Sequence, residues 1–250
     1  MKRTILLLLL VLALSLVGPV LAQSADFTLS PSEINIGTLY NGATLAVQGS
    51  VPEGSQVVVR FIGSPEEMVM KQKGKALGLL WMNMNTLHFS GVPTVCLVDS
   101  SAPLDGLGAL GASLSLDGLA QGIHVAPSSP ADQDLVAEML KLKRSEGLYR
   151  QSSGGVTLGQ VQDGQQAFQL ALAVPSRLSA GTYSVEVLAM KDGQVAARAV
   201  KPVEAHLTGI PSFLADLAFN HAIWYGVLSA ILAILGGLAI GLVFQSKEAH

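Results

Sequence analysis

The sequence predicts a mainly β protein: an immunoglobulin-like β-sandwich with a mixed α/β insertion, followed by a single C-terminal transmembrane α-helix. Three observations predict it. Apolar residues alternate at period two early in the chain, at Phe27 and Leu29, Ile34 and Ile36, Leu45 and Val47, and Val57, Val59 and Phe61. The same alternation returns late, at Phe168, Leu170, Leu172 and Val174, then Tyr183, Val185 and Val187, then Val195, Ala197 and Ala199. Period two is the signature of half-buried strands with one face on a core and one in water. Finally, Ala222 to Phe244 carries no charged side chain.

The first element is a targeting segment rather than part of the fold. Lys2 and Arg3 precede an apolar run from Ile5 to Val17, Gly18-Pro19 breaks it, and Val20-Leu21-Ala22 fits a small-residue cleavage site. This pattern predicts a secretory signal over residues 1–22, cut before Gln23. Loss of Lys2 and Arg3 takes the formal net charge from −3 to −5, and nothing in that balance suggests nucleic acid. A lone cysteine cannot form an intramolecular disulfide, so the body must hold itself by packing.

The body, residues 23–221, then follows strand by strand. Ser30-Pro31, Asn41-Gly42 and Pro52-Glu53-Gly54-Ser55 separate the early strands. Lys191-Asp192-Gly193-Gln194 is a hairpin signal between the last two. No Cys…Trp…Cys pattern occurs, so the sandwich is read from alternation alone, with a barrel as the alternative. The insertion, about 66–153, breaks the alternation. Met68 to Leu97 is strand-rich, and Ala102 to Gly122 reads as loop with short helical pieces. Ser129-Pro130-Ala131-Asp132, with Ser129 as N-cap and a first-turn Pro, then opens an amphipathic helix with Leu135, Met139 and Leu142 on its apolar face, ended by Gly147.

At the C-terminus, residues 222–244 at about 1.5 Å per residue reach roughly 34 Å, enough to cross a hydrocarbon core. Trp224 and Tyr225 stand at the front edge, where aromatic rings favour the interface. Residues 245–250 form the tail. The signal and the span together place the body outside, in the periplasm of a Gram-negative cell, and the tail in the cytoplasm. Leu207, Ile210, Leu214 and Leu217 form a stripe just before the span that suits the bilayer surface or an extension of the span.

Motifs with chemical content are few. Gly106-Leu107-Gly108-Ala109-Leu110-Gly111 matches GxGxxG, but Ser100 to Leu104, with Pro103, separates it from the preceding strand, so a flexible loop is the ordinary reading. Met68, Met70, Met82 and Met84 could place four soft thioethers on one side of neighbouring strands, a set that favours Cu(I), although Met is also a common core filler. His88, His124, His206, His221 and His250 have no partners at zinc-ligand spacing. Cys96, inside Val92 to Val98, reads as a buried small hydrophobe. Lys71, Lys73 and Lys75 share one strand face, with Arg60 earlier. Beside Trp81 they form a basic edge with an aromatic anchor, suited to an acidic partner patch or an anion, where the ordinary reading is a solvated face. No catalytic constellation stands out, so no enzyme activity and no cofactor are expected.

Two groups of residues resemble a known family. They are Val57-Val58-Val59-Arg60, Gly63-Ser64-Pro65-Glu66-Glu67, Lys73-Gly74-Lys75 and Trp81-Met82-Asn83, then Val174-Pro175, Ala180 to Val187, Lys191 to Val195 and Trp224-Tyr225-Gly226. The chain resembles a family of "putative transmembrane proteins" first described from alphaproteobacteria, to which no activity is assigned. It departs at Met70, Met84 and Cys96, and its span ends in Phe244-Gln245-Ser246 without a basic pair. The resemblance implies a periplasmic β-rich body on one membrane helix. It also implies an accessory role beside a membrane-protein partner, a sulfite-exporter-type permease.

Overall fold

The structure, a computed structural model, describes residues 25–76 and 79–245. The expected signal, residues 1–22, and residues 246–250 of the expected tail lie outside the described residues. The strands are β1 (Asp26–Ser30), β2 (Glu33–Ile36), β3 (Ala43–Pro52), β4 (Gln56–Gly63), β5 (Pro65–Ala76), β6 (Leu80–Pro93), β7 (Cys96–Ser100), β8 (His124–Ala126), β9 (Tyr149–Ser153), β10 (Thr157–Gln162), β11 (Gln165–Val174), β12 (Gly181–Lys191) and β13 (Gln194–Leu207). The helices are α1 (Gly108–Leu114), α2 (Leu116–Ala120), α3 (Asp132–Ser145), α4 (Ile210–Asn220) and α5 (Ala222–Gln245), with a 3-10 helix at Leu104–Leu107.

Two sheets face each other as an immunoglobulin-like sandwich. One has the order β1-β3-β11-β10, the other β2-β13-β12-β4-β7-β9. Phe27, Leu45, Val47, Phe168, Leu170 and Leu172 from the first meet Val57, Val59, Phe61, Val185 and Val187 from the second. Strict alternation in β11 explains why Phe168, Leu170, Leu172 and Val174 are all buried while the residues between them are exposed. Asp192 and Gly193 both take positive φ, 52° and 74°, as the tight β12–β13 turn requires.

The middle of the second sheet, β12, β4 and β7, is not half-buried, and here the period-two reading of β4 is corrected. Val57, Val58 and Val59 are all fully buried. The reason is the insertion, which lays a third layer over the outer face of that sheet. Val58, Val98, Leu188 and Met190 pack there against Leu87, Phe89 and Val92 of β6, Leu104, Leu116, and Val136, Met139 and Leu140 of α3. A sheet covered on both faces reads as a continuous apolar run, which Val57-Val58-Val59 is. Each such side chain contributes about 1.5–3 kcal/mol on burial. The insertion returns to the same sheet, since β9 pairs in parallel with β7.

Two details of α3 also differ from the sequence reading. Ala131, not Ser129, is the N-cap; Ser129 instead donates its backbone N–H and hydroxyl to the Asp132 carboxylate. The buried stripe is Val136, Met139 and Leu140, and Leu142 is exposed, because i, i+3, i+4 from Val136 is the row facing the sheet.

β13 hands over through Gly209 to α4, none of whose residues is buried. α5 follows, and its apolar side chains, among them Ile223, Val227, Ile231, Leu235, Leu238 and Phe244, are exposed on every side. A helix apolar on every side and unburied suits a lipid surround, and its 24 residues reach about 36 Å.

Candidate functional site

The most distinctive surface is built by β5 and β6. They continue the central sheet: β4 pairs with β7 up to Ile62 and Cys96, Gly63 N–H donates to the Val95 carbonyl at 3.0 Å, and Thr94 N–H donates to the Ser64 carbonyl at 3.2 Å. From Pro65 opposite Pro93 the same ladder runs out as β5–β6. A Cβ on Gly63 would overlap Thr94 Oγ1 and approach Tyr183 Cε1 to 3.1 Å, so only glycine fits where sheet becomes ribbon. The ribbon kinks at bulges between Glu66 and Met68 and between Gln72 and Lys73. Twelve residues of β5 span about 40 Å.

Register also fixes the end from which the ribbon leaves. Gly63 lies opposite Tyr183, and Tyr183 opposite Val203. Four residues further along β13, Leu207 leads to α4 and the membrane helix. Ribbon and anchor therefore depart from the same end of the central sheet.

The two faces of the ribbon differ. Met68 pairs with Phe89 and Met70 with Leu87 on the face that packs against the second core. The opposite face carries Val69 with His88, Lys71 with Thr86, Lys73 with Asn83, and Lys75 with Trp81. Lys71, Lys73, Lys75 and Trp81 are thus brought together on one exposed face. Lys71 Nζ donates to Thr86 Oγ1 at 2.7 Å, and Lys75 Nζ sits 5.4 Å from the Trp81 ring centroid, a cation–π geometry. Trp81 is 67% exposed, and at the tip Leu79 and Leu80 are 85% and 69% exposed.

Those tip leucines were not singled out in the sequence. The available signal was an apolar run, Leu79-Leu80-Trp81, at a hairpin end where polar turn residues normally sit. Arg60 does not join the lysine face. It turns inward, and Glu186 takes Arg60 at 3.3 Å and Arg198 at 2.7 Å, a paired charge cluster on the covered face of the sheet.

The four methionines do share one ribbon face, but along its length. Met68 and Met70 pack at the root, while Met82 and Met84 are exposed and Met84 lies over Gly74. Gly106 to Gly111 is wound into the 3-10 helix and α1, which contains only seven residues. Cys96 is buried, with burial pushing its thiol pKa up and Arg60 partly opposing that. Among the described residues no group of three His, Cys, Asp or Glu side chains gathers at metal-binding range.

Comparison with known proteins fits this anatomy. The profile of the family described as "Putative transmembrane protein (Alph_Pro_TM)" matches residues 25–246. No curated protein matches the chain. Among solved structures, murine CRIg is similar at 10% identity over 75% of this chain and 100% of that one, with a TM-score of 0.28, a level that carries no argument.

Proposed function

Because this chain belongs to the transmembrane protein family whose profile it matches, we propose that it is a single-pass, membrane-anchored interaction module. The body stands outside the membrane, in the periplasm, and the C-terminus is cytoplasmic. It is an accessory protein rather than an enzyme, and it works on a partner in or at its own membrane. A sulfite-exporter-type permease is the partner to test first.

One observation carries this reading: the exposed lysine–tryptophan ribbon and the membrane helix leave the same end of the central sheet. A contact arm rooted beside an anchor meets what lies in that membrane more readily than a soluble partner. Its exposed tryptophan is of the type that interface hot spots use, and its lysines supply charge for recognising an acidic patch.

The test is site-specific photo-crosslinking from Trp81 in the full chain, in its native membrane. The reading expects adducts with a defined membrane component, lost when Lys71, Lys73 and Lys75 are changed to Glu. Adducts spread at random over soluble proteins would overturn it. Copper retained stoichiometrically through purification, and lost on changing Met82 and Met84 to Leu, would favour a metal sensor or carrier instead.

A further inference from the structure

We propose that the β5–β6 ribbon lies along the anionic headgroup layer of the bilayer that holds α5, on the side of the body, with its lysine face against the lipid. This rests on the reading of the ribbon as the contact arm and names what it contacts. Charge is the first argument. The chain has 18 acidic residues and a net charge of −3, yet no acid lies between Glu67 and Asp99, where Lys71, Lys73 and Lys75 all fall. Beyond Glu66 and Glu67 at its root, the outer ribbon is a cationic segment on an acidic protein, complementary to phosphate.

Geometry is the second. The lysine row runs along the ribbon axis, so three ammonium groups reach one phosphate plane only when the ribbon lies flat. The face that would then look away from the lipid is the one Met68, Met70, Leu87 and Phe89 use to join the body, so the lysine face is the one left free for it. Trp81, opposite Lys75, is on the lipid side, and Leu79 and Leu80 extend from the tip. Indole beside ammonium matches the glycerol and phosphate levels of the interface.

Backbone chemistry limits the depth. β5 is an edge strand, and β6 pairs with β8 only over His88 to Ser90, so both edges of the outer ribbon carry unpaired N–H and C=O groups. Such groups do not enter hydrocarbon, which sets the ribbon at headgroup depth. α4, with Phe213, Leu214 and Phe219 exposed, continues the same contact towards the anchor.

The experiment uses the full chain carrying Trp224→Phe, so that Trp81 is the only tryptophan, in nanodiscs of phosphatidylcholine with or without phosphatidylglycerol. Lipids brominated in the upper acyl chain report contact by quenching. Quenching and a blue-shifted emission are expected in the anionic discs. Both should be lost in high salt and on Lys71, Lys73 and Lys75→Glu, which shifts seating by roughly 100-fold or more. Emission quenched by aqueous iodide and not by bromolipid, in anionic discs, overturns the proposal. If Trp81 is then found cross-linked to a membrane protein, the interaction-module reading stands and the lipid assignment alone falls. If no membrane component is captured either, both fall.

Discussion

Cys96 and Tyr149 face each other across the parallel β7–β9 pair, and Tyr149 donates its hydroxyl to the Pro93 carbonyl at 2.7 Å. Burial raises the pKa of both groups, and for Tyr149 the neighbouring thiol adds to the rise. Tyr183, stacked on Phe61, is raised by burial as well. These groups lose their protons more readily in the unfolded chain, so the unfolded state is favoured as pH climbs. Stability is therefore expected to hold below about pH 9 and to fall above it, first through Cys96, whose ordinary value is 9.0, then through the tyrosines, at 10.0. Each group contributes at most about 1.4 kcal/mol per pH unit. Urea melts of the detergent-solubilised chain across that range check this, and Cys96→Ala should soften the first part of the decline. Equal stability at pH 8 and pH 11 would contradict it. Arg60 belongs to the same scale: its place beside Glu186 could not be read from a chain in which 126 residues separate them.

At the scale of the element, the ribbon divides into a packed root and an unpacked outer half. Leu87 and Phe89 are buried, whereas Lys71, Lys73, Lys75, Met82 and Met84 are exposed on both faces. Few buried contacts imply cheap local opening. Limited trypsin digestion in detergent is expected to cut at these lysines before Lys191 or Lys201, leaving two fragments that stay associated through β4, β7 and β12. A first cut elsewhere would show that the outer ribbon is not the weakest element. How much of each element was legible follows from its surroundings. β11 borders one core and water, so its alternation read directly. β4 and β12 border two cores, and the second is supplied by a layer whose helices gave no sign of where they would dock. In α3 the two-residue offset of the cap and the choice of Leu140 over Leu142 depended on which row met the sheet. The lysine face with Trp81 beside it was readable from its spacing, and the register that sets Trp81 opposite Lys75 was not, because a bulge at Gln72/Lys73 fixes it.

For the whole molecule, the prediction concerns sidedness. An alkaline phosphatase fused after Val203 should be active, and a fluorescent protein fused after His250 should glow, as the proposed periplasmic body and cytoplasmic tail require. An inactive phosphatase at the first site would reverse the orientation. The candidate span from Ala222 to Leu242 was legible because an uncharged run of that length has few other uses.

The strand order of the central sheet bears on how such a chain is made. β12 sits between β4 and β13, so the sheet's interior strand is among the last to be synthesised, only thirty residues before α5 begins. Until residues 181–207 emerge, β4 lacks a neighbour on one side and β2, whose sheet partner is β13, has none. The nascent body must therefore wait, with its valines uncovered, until the polypeptide is nearly complete. Folding and arrival of the anchor become almost simultaneous events. A ribosome stalled before residue 181 would release a product that no later partner could rescue into this sheet except one bringing the two missing strands.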